Sequence, residues 1–148
     1  MIKIKNQTLG ITLGDPLGIG PEIVAKCVNF LNKKSFPFKF ILLGNEQAFL
    51  KACEISKIKP SFKIIENFLN FGSNDIKFSN NPTANGGEIA YNSIITCADL
   101  YKEGKIKAMV TAPISKEALH LAQHFYDGHT GLLSHLFNVN NPYLMLAN

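Results

Sequence analysis

The chain has 148 residues, of which 46% are hydrophobic and 18% are charged, and its net charge is +4. This is the size of one ordinary domain, and the composition excludes intrinsic disorder, which needs lower hydrophobicity and a larger net charge. No apolar run approaches the roughly 20 residues that span a bilayer, and the N-terminus lacks the pattern of a signal peptide. We therefore predict a soluble, cytoplasmic protein without a membrane partner.

Strands and helices are predicted to alternate along the first half of the chain. Thr8–Leu13 is expected to form a buried strand, and the loop Gly14–Gly20 leads into a helix that a proline opens and that ends near Leu31. Phe38–Leu43 is the next predicted strand, and Asn45 is the predicted N-cap of a second helix. The apolar face of that helix is formed by Ala48, Phe49, Ala52 and Cys53.

The middle of the chain has a less regular pattern. Phe62–Ile65 and Asp75–Phe78 are predicted as short strands on either side of a turn. Asn85 and Glu88 have the spacing of an N-cap and its return partner, which predicts the start of a helix. The buried stripe of this helix is predicted to be Ala90, Ile94, Cys97 and Tyr101.

The last third of the chain continues the alternation. Lys107–Thr111 is predicted as a compact buried strand, and Ser115 as the cap of a helix over Lys116–Ala122. A further helix is predicted at Leu132–Phe137 and a strand at Tyr143–Leu146. This order predicts an α/β domain with a largely parallel sheet. Because an apolar strand usually lies between neighbours, a chain that ends directly after one is expected to be truncated.

The charges and the cysteines exclude several classes of function. All 15 positive side chains are lysines, scattered along the chain, whereas nucleic-acid contacts favour the arginine fork, so no nucleic-acid partner is expected. Cys27, Cys53 and Cys97 fit neither a disulfide framework nor a zinc site. We interpret them as small core residues of a reducing compartment.

Three loops carry polar residues that simple connections rarely need, namely Gly14–Glu22, Thr111–Lys116 and Asp127–Thr130. Functional groups of open α/β sheets collect in the loops at the carboxyl ends of the strands, so we expect these loops to meet at one edge of the sheet. The glycines of the first loop precede a helix N-terminus that can attract an anion, but their spacing matches neither the dinucleotide fingerprint nor the P-loop. Asp15 either belongs to a ligand-contacting loop or stabilises a turn.

The other two loops each have two interpretations. Lys116 either pairs with a carboxylate or phosphate or is an exposed lysine in a first helical turn. His129, beside the hydroxyl of Thr130, can hydrogen-bond a polar substrate or exchange a proton near neutral pH, although a lone loop histidine is more often solvated. His120 and His124 could share a helix face as a metal pair, but a chance surface pair is favoured without a glutamate at the second position.

Three segments resemble, in order and separation, the signatures of the 4-hydroxythreonine-4-phosphate dehydrogenases. They are Thr12–Glu22, Val110–Leu119 and Asp127–Thr130. The resemblance implies an α/β/α sandwich like that of isocitrate and isopropylmalate dehydrogenases, and a homodimer with active sites at the subunit boundary. Two positions depart from the family pattern: Gly131 replaces the usual glutamate, and Gln123 replaces the usual glycine.

The resemblance also implies a reaction. This is the NAD-dependent oxidation and decarboxylation of 4-phosphohydroxy-L-threonine to 3-amino-2-oxopropyl phosphate in pyridoxine (vitamin B6) biosynthesis. His129 and Thr130 would bind this small phosphorylated amino acid, and Asp15 and Lys116 would lie in active-site loops. A divalent metal (zinc, magnesium or cobalt) would act as a Lewis acid. The family's metal ligands and most of its NAD contacts lie beyond the position of Asn148, so this chain alone is expected to be inactive.

Two alternatives remain open from the sequence. The first is a related dehydrogenase that acts on another phosphorylated hydroxy-acid. The second is a non-catalytic domain that binds an anionic metabolite at the glycine loop Gly14–Gly20.

Overall fold

The computed structural model describes residues 7–34, 36–73, 75–143 and 145, which form alternating strands and helices. In chain order the elements are β1 (Gln7–Thr12), α1 (Gly20–Asn32), β2 (Phe38–Gly44), α2 (Glu46–Ile55), β3 (Ile65–Asn70), α3 (Ala84–Lys102), β4 (Met109–Thr111), α4 (Lys116–Leu121) and α5 (His129–Phe137). Within these ranges no helix combines the length and apolar character needed to cross a membrane.

The four strands form a parallel sheet in the order β3-β2-β1-β4. The chain moves outward from β1 to β2 and β3, then crosses over to β4 on the other side of β1. The direction of winding therefore reverses between β1 and β4. The α/β fold with a parallel sheet, predicted from the alternating pattern, is confirmed.

Alternating strand residues build a core on each face of the sheet. Ile11 and Leu42 pack with Val24 and Val28 of α1 on one face. Leu43 belongs to a second cluster on the face covered by α3. The other members of that second cluster are Cys97 and Ile106, with Ile41, Leu69, Phe71, Leu100 and Met109 packed against it. Helices on both faces give the three α/β/α layers.

Two predicted N-caps are present. The Asn45 side chain accepts a hydrogen bond from the Ala48 N–H at 3.0 Å, and the Ser115 hydroxyl accepts one from the Ala118 N–H at 3.1 Å. Both satisfy N–H groups that the first helical turn leaves unpaired. These caps fix the start of α2 directly after β2 and the start of α4 after the short loop that follows β4.

The predicted start of α3 is wrong by two residues. Thr83, not Asn85, is the N-cap, and its hydroxyl accepts from the Gly86 N–H at 3.0 Å. Both residues are good caps, but the chain is already helical at Asn85. The predicted stripe of α3 is also too long, because Tyr101 is 45% exposed and meets the Phe137 ring of α5 instead of the sheet.

The strand predictions after α2 are only partly correct. β3 begins at Ile65, where the predicted Phe62–Ile65 strand should end. The Phe62 ring instead contacts Phe49 of α2, with ring centroids 5.8 Å apart, so its apolar character reflects helix packing. Asp75–Phe78 forms no strand. Of the predicted strand Tyr143–Leu146, Leu144 and Leu146 lie outside the described residues.

Two burial predictions fail where residues lie at an edge. The prediction of Lys107–Thr111 as a compact buried strand is wrong, because the strand spans only Met109–Thr111 and Val110 is 49% exposed on the outer strand. Cys27 is exposed, since it lies off the inward face of α1. Cys53 and Cys97 are buried as expected, and burial raises the pKa of Cys97 to about 12.

Candidate active site at the carboxyl edge of the sheet

The loops after β1 and β4 touch where the winding of the sheet reverses. The Asp15 N–H donates to the Pro113 carbonyl at 3.1 Å. Gly14 has φ +72°, and a Cβ there would lie 2.0 Å from the Pro113 oxygen. Only glycine allows this approach. Ligands of open α/β sheets bind at such a switch point, so this crevice is the natural place for a site.

Asp15 connects the first loop to the start of α3. Its side chain is almost fully buried, and Oδ1 accepts from the Leu17 N–H at 2.9 Å, which is an Asx turn. A Cβ on Gly86 would lie 2.9 Å from the same oxygen. The carboxylate thus sits against the first turn of α3, where the helix dipole favours negative charge. Its visible role is to stabilise the turn at the switch point.

Gly87 allows α3 to touch α4 backbone to backbone. A Cβ at this position would lie 1.9 Å from the carbonyl oxygen of Ala118. Sequence reasoning missed Gly86 and Gly87 as site-forming residues. Their signal is visible in retrospect, because two adjacent glycines inside a helix are destabilising and need a packing reason.

The third predicted loop, Asp127–Thr130, follows α4 and not a strand. Gly128, with φ +91°, precedes α5, so His129 and Thr130 stand in the first helical turn and not in a loop. His129 contacts the backbone of Ala112, next to the Pro113 that binds Asp15. The three loops therefore meet at one edge of the sheet, as the sequence predicts.

The imidazole of His129 has an unused polar atom. Its Nε2 is buried and finds no hydrogen-bond partner in the part of the chain that the structure describes. An unpaired buried polar atom costs about 1–3 kcal/mol, so this nitrogen is a candidate to meet a ligand. Burial also lowers the pKa of His129, with the Ala112 backbone acting in the opposite direction, so the neutral ring is favoured at neutral pH.

A groove of about 430 Å³ starts at His129 and Thr130 and follows α5. Its walls also include Leu133, Ser134 and Phe137. Thr130 is exposed at the mouth. The groove runs along one side of α5, and beyond His129, Thr130 and Ser134 its lining is apolar.

Lys116 places a cation beside this groove. Its Nζ lies 3.4 Å from Oδ1 of Asp127, and both side chains are well exposed. A Cβ on Gly128 would lie 3.5 Å from the lysine Cε, so the lysine stem runs past the start of α5. Exposed ion pairs contribute little, and this one leaves the ammonium available to an anion.

The interpretation of His120 and His124 as a chance surface pair is half wrong. His120 is exposed on α4, but His124 stacks on the ring of Tyr91 and lies 2.7 Å from a carboxylate oxygen of Glu88. Across the described ranges, no group of three or more His, Cys, Asp or Glu side chains could hold a metal ion. The two histidines therefore have different roles, one on the surface and one in a contact between segments.

A parallel sheet whose glycine-built loops meet at its switch point, with an imidazole and an ammonium group at the same edge, defines an α/β domain with a candidate site at the carboxyl ends of its strands. Comparison with known proteins narrows this class. A family model described as "Pyridoxal phosphate biosynthetic protein PdxA" matches residues 32–148. The chain belongs to this family.

Individual relatives agree with the family assignment. The chain is 32% identical to a 4-hydroxythreonine-4-phosphate dehydrogenase of Trichlorobacter lovleyi, over 94% of this chain and 46% of that protein. It is 34% identical to a D-threonate 4-phosphate dehydrogenase of Salmonella typhimurium, over 90% of this chain and 45% of that protein. The crystal structure of a 4-hydroxythreonine-4-phosphate dehydrogenase from Klebsiella pneumoniae matches the fold with a TM-score of 0.77 at 30% identity. The match covers 90% of this chain and 45% of that one. The chain thus spans about half the length of these relatives.

Proposed function

We propose that this chain forms the N-terminal, substrate-binding part of an NAD-dependent dehydrogenase. The reaction is oxidation and decarboxylation of 4-phosphohydroxy-L-threonine to 3-amino-2-oxopropyl phosphate in pyridoxine biosynthesis. The observation that carries the proposal is the buried Nε2 of His129, which has no hydrogen-bond partner among the described residues, at the switch point of a PdxA-family fold. The proposal includes a cytoplasmic homodimer, with NAD and a divalent metal held mainly by residues outside this chain.

The substrate contacts follow from the chemistry of the groove. Burial lowers the pKa of His129 and favours the neutral ring, so its Nε2 can accept one hydrogen bond from a hydroxyl group of the substrate. Thr130 adds a hydroxyl in the same helical turn. The first turn of α5 contains no acidic side chain, so its N–H groups and Lys116 favour an anionic group such as a carboxylate or phosphate.

A second candidate substrate is D-threonate 4-phosphate. The Salmonella typhimurium relative that carries this name is as similar to the chain as the 4-hydroxythreonine-4-phosphate dehydrogenases are. Both substrates are small, phosphorylated and hydroxylated, so the same contacts at His129 and Thr130 serve either one. NADH formation with each compound, measured at equal concentration on the complete enzyme, distinguishes the two.

His129→Ala in the complete enzyme tests the assignment directly. Removal of one partner of a buried hydrogen bond costs about 1–3 kcal/mol, and each tenfold change in rate corresponds to about 1.4 kcal/mol. We expect kcat/KM to fall roughly ten- to a hundredfold with the fold intact. His120→Ala is the matched control, because His120 is exposed on the preceding helix. Unchanged kcat/KM with an unchanged melting temperature for His129→Ala would refute the assignment.

The 148-residue chain by itself is expected to form no NADH. The relatives that carry dehydrogenase names are about twice as long, and the proposal assigns the metal ligands and most NAD contacts to the remaining part. A coupled assay with purified chain, NAD, a divalent metal and either substrate checks this expectation. Turnover close to that of a full-length relative would contradict it. Turnover by the full-length protein, but not by the 148-residue chain, would argue against the alternative of a non-catalytic anion-binding domain.

A further inference from the structure

His124 is held by α3 through two independent contacts. Its ring stacks on Tyr91 with centroids 3.5 Å apart and an interplanar angle of 13°. Its Nε2 lies 2.7 Å from Oε2 of Glu88, whose other oxygen accepts from the Asn92 amide at 2.8 Å. The hydrogen bond with His124 is the largest cause of a lowered pKa for Glu88. The proposed substrate contacts do not use this cluster.

The backbone at the end of α4 places His124 against α3 in a fixed orientation. At the end of α4 the Gln123 N–H donates to the His120 carbonyl at 3.0 Å, and the His124 N–H donates to the Leu119 carbonyl at 2.9 Å. Gln123 has φ +65°. Together these features form a Schellman motif, in which the residue after the left-handed position turns back toward the helix. A non-glycine residue accepts the left-handed conformation at a cost, which indicates that the contacts of the neighbouring His124 hold the turn.

The segment after His124 leads directly to the start of α5. The Tyr126 ring lies 6.2 Å from Tyr91 and 5.7 Å from His135 of α5. Within α5, Leu132 is the buried residue, whereas α3 is buried along most of its length. The position of α5 therefore depends on side chains at its ends more than on a core face of its own.

We propose that His124 is a positioning residue, which clamps the segment 123–128 to Glu88 and Tyr91 of α3 and thereby fixes His129 and Thr130 at the sheet edge. Its relevance to substrate rests on the proposed function. The same helix contacts Asp15 at Gly86 and α4 at Gly87. The clamp therefore sets the position of residues 123–130 relative to α3, the helix that also contacts Asp15 and α4.

The clamp can be tested on the 148-residue chain without substrate. Ring signals of His129 are followed by NMR through a pH titration, and amide exchange is measured along α5. In His124→Ala, the buried ring of His129 gains water, so its pKa should move up toward the ordinary histidine value. Loss of a ring stack and a hydrogen bond should make α5 amides exchange about tenfold faster, with α3 unchanged. Glu117→Ala, at an exposed position of α4 that makes no hydrogen bond, ion pair or ring contact among the described residues, should change neither quantity.

Glu88 provides a second pair of variants that keeps the stacked ring in place. Glu88→Gln retains an oxygen for His124 and should preserve most of the exchange protection of α5, whereas Glu88→Ala should lose part of it. Glu88 is half exposed, so both variants are expected to fold. Unchanged His129 signals and unchanged α5 exchange in both His124→Ala and Glu88→Ala would overturn the clamp, and so would equal effects of Glu117→Ala.

These readouts are independent of the proposed function. If His124→Ala shifts the His129 signals but His129→Ala leaves kcat/KM of the complete enzyme unchanged, the clamp stands and the substrate assignment fails. If His129→Ala lowers kcat/KM but His124→Ala leaves the His129 signals unchanged, the assignment stands and the clamp fails.

Discussion

The two sides of the candidate site are held by different kinds of contact. At the junction of β1, β4, α3 and α4, backbone meets backbone, and a Cβ at Gly14, Gly20 or Gly87 would lie about 2 Å from a carbonyl oxygen of a neighbouring segment. On the other side, α5 meets the rest of the chain through side chains, and its buried residue is Leu132. Close packing leaves the junction no freedom, whereas the segment that carries His129 can move when a few side chains change.

The largest expected effect tests the rigid side. Gly87→Ala places a methyl group 1.9 Å from the Ala118 oxygen, which is backbone and cannot rotate away. Helices α3 and α4 must separate, so we expect a loss at the upper end of the about 1–3 kcal/mol typical of overpacking, or more. Urea unfolding, monitored by circular dichroism, measures this loss in the free energy of unfolding. A free energy of unfolding within about 0.5 kcal/mol of wild type would show that α3 and α4 can separate at little cost.

A smaller effect on the same side is expected from Asp15. Removal of the carboxylate in Asp15→Ala leaves the Leu17 N–H without its partner and should cost about 1–2 kcal/mol. Asp15→Asn keeps an oxygen acceptor in the same place and should recover most of that loss. Chemical denaturation of the three proteins gives both differences. Equal stabilities for the alanine and asparagine variants would mean that the Asx turn does not stabilise this loop.

The features that could be predicted from the sequence are mainly local. Asn45 and Ser115 were recognisable as caps because the interaction spans three residues, and the parallel sheet followed from the alternation of elements. Contacts between distant segments have a weaker pattern in the sequence. The approach of α3 to α4 at Gly87 and the pairing of Glu88 with His124, 36 residues away, depend on the packed fold.

Competing local signals account for the remaining errors. Thr83 and Asn85 are both good caps, and only the packed position of α3 decides between them. In the site, the residue types of His129 and Thr130 were visible, but their place in a first helical turn was not, because Gly128 with positive φ starts α5 earlier than the apolar pattern does.

The smallest expected effect tests the side of the site that α5 forms. The substitution is again glycine to alanine, as at Gly87. Gly131 also lies inside a helix, but a Cβ there meets nothing within 4 Å. Alanine restricts the unfolded chain and favours the helix, so Gly131→Ala should stabilise the protein by about 0.5–1 kcal/mol. The measurement is the same urea titration, run beside Gly87→Ala. Opposite signs for the two variants would support the distinction between the two sides, whereas a destabilised Gly131→Ala would show that α5 is packed as tightly as the junction.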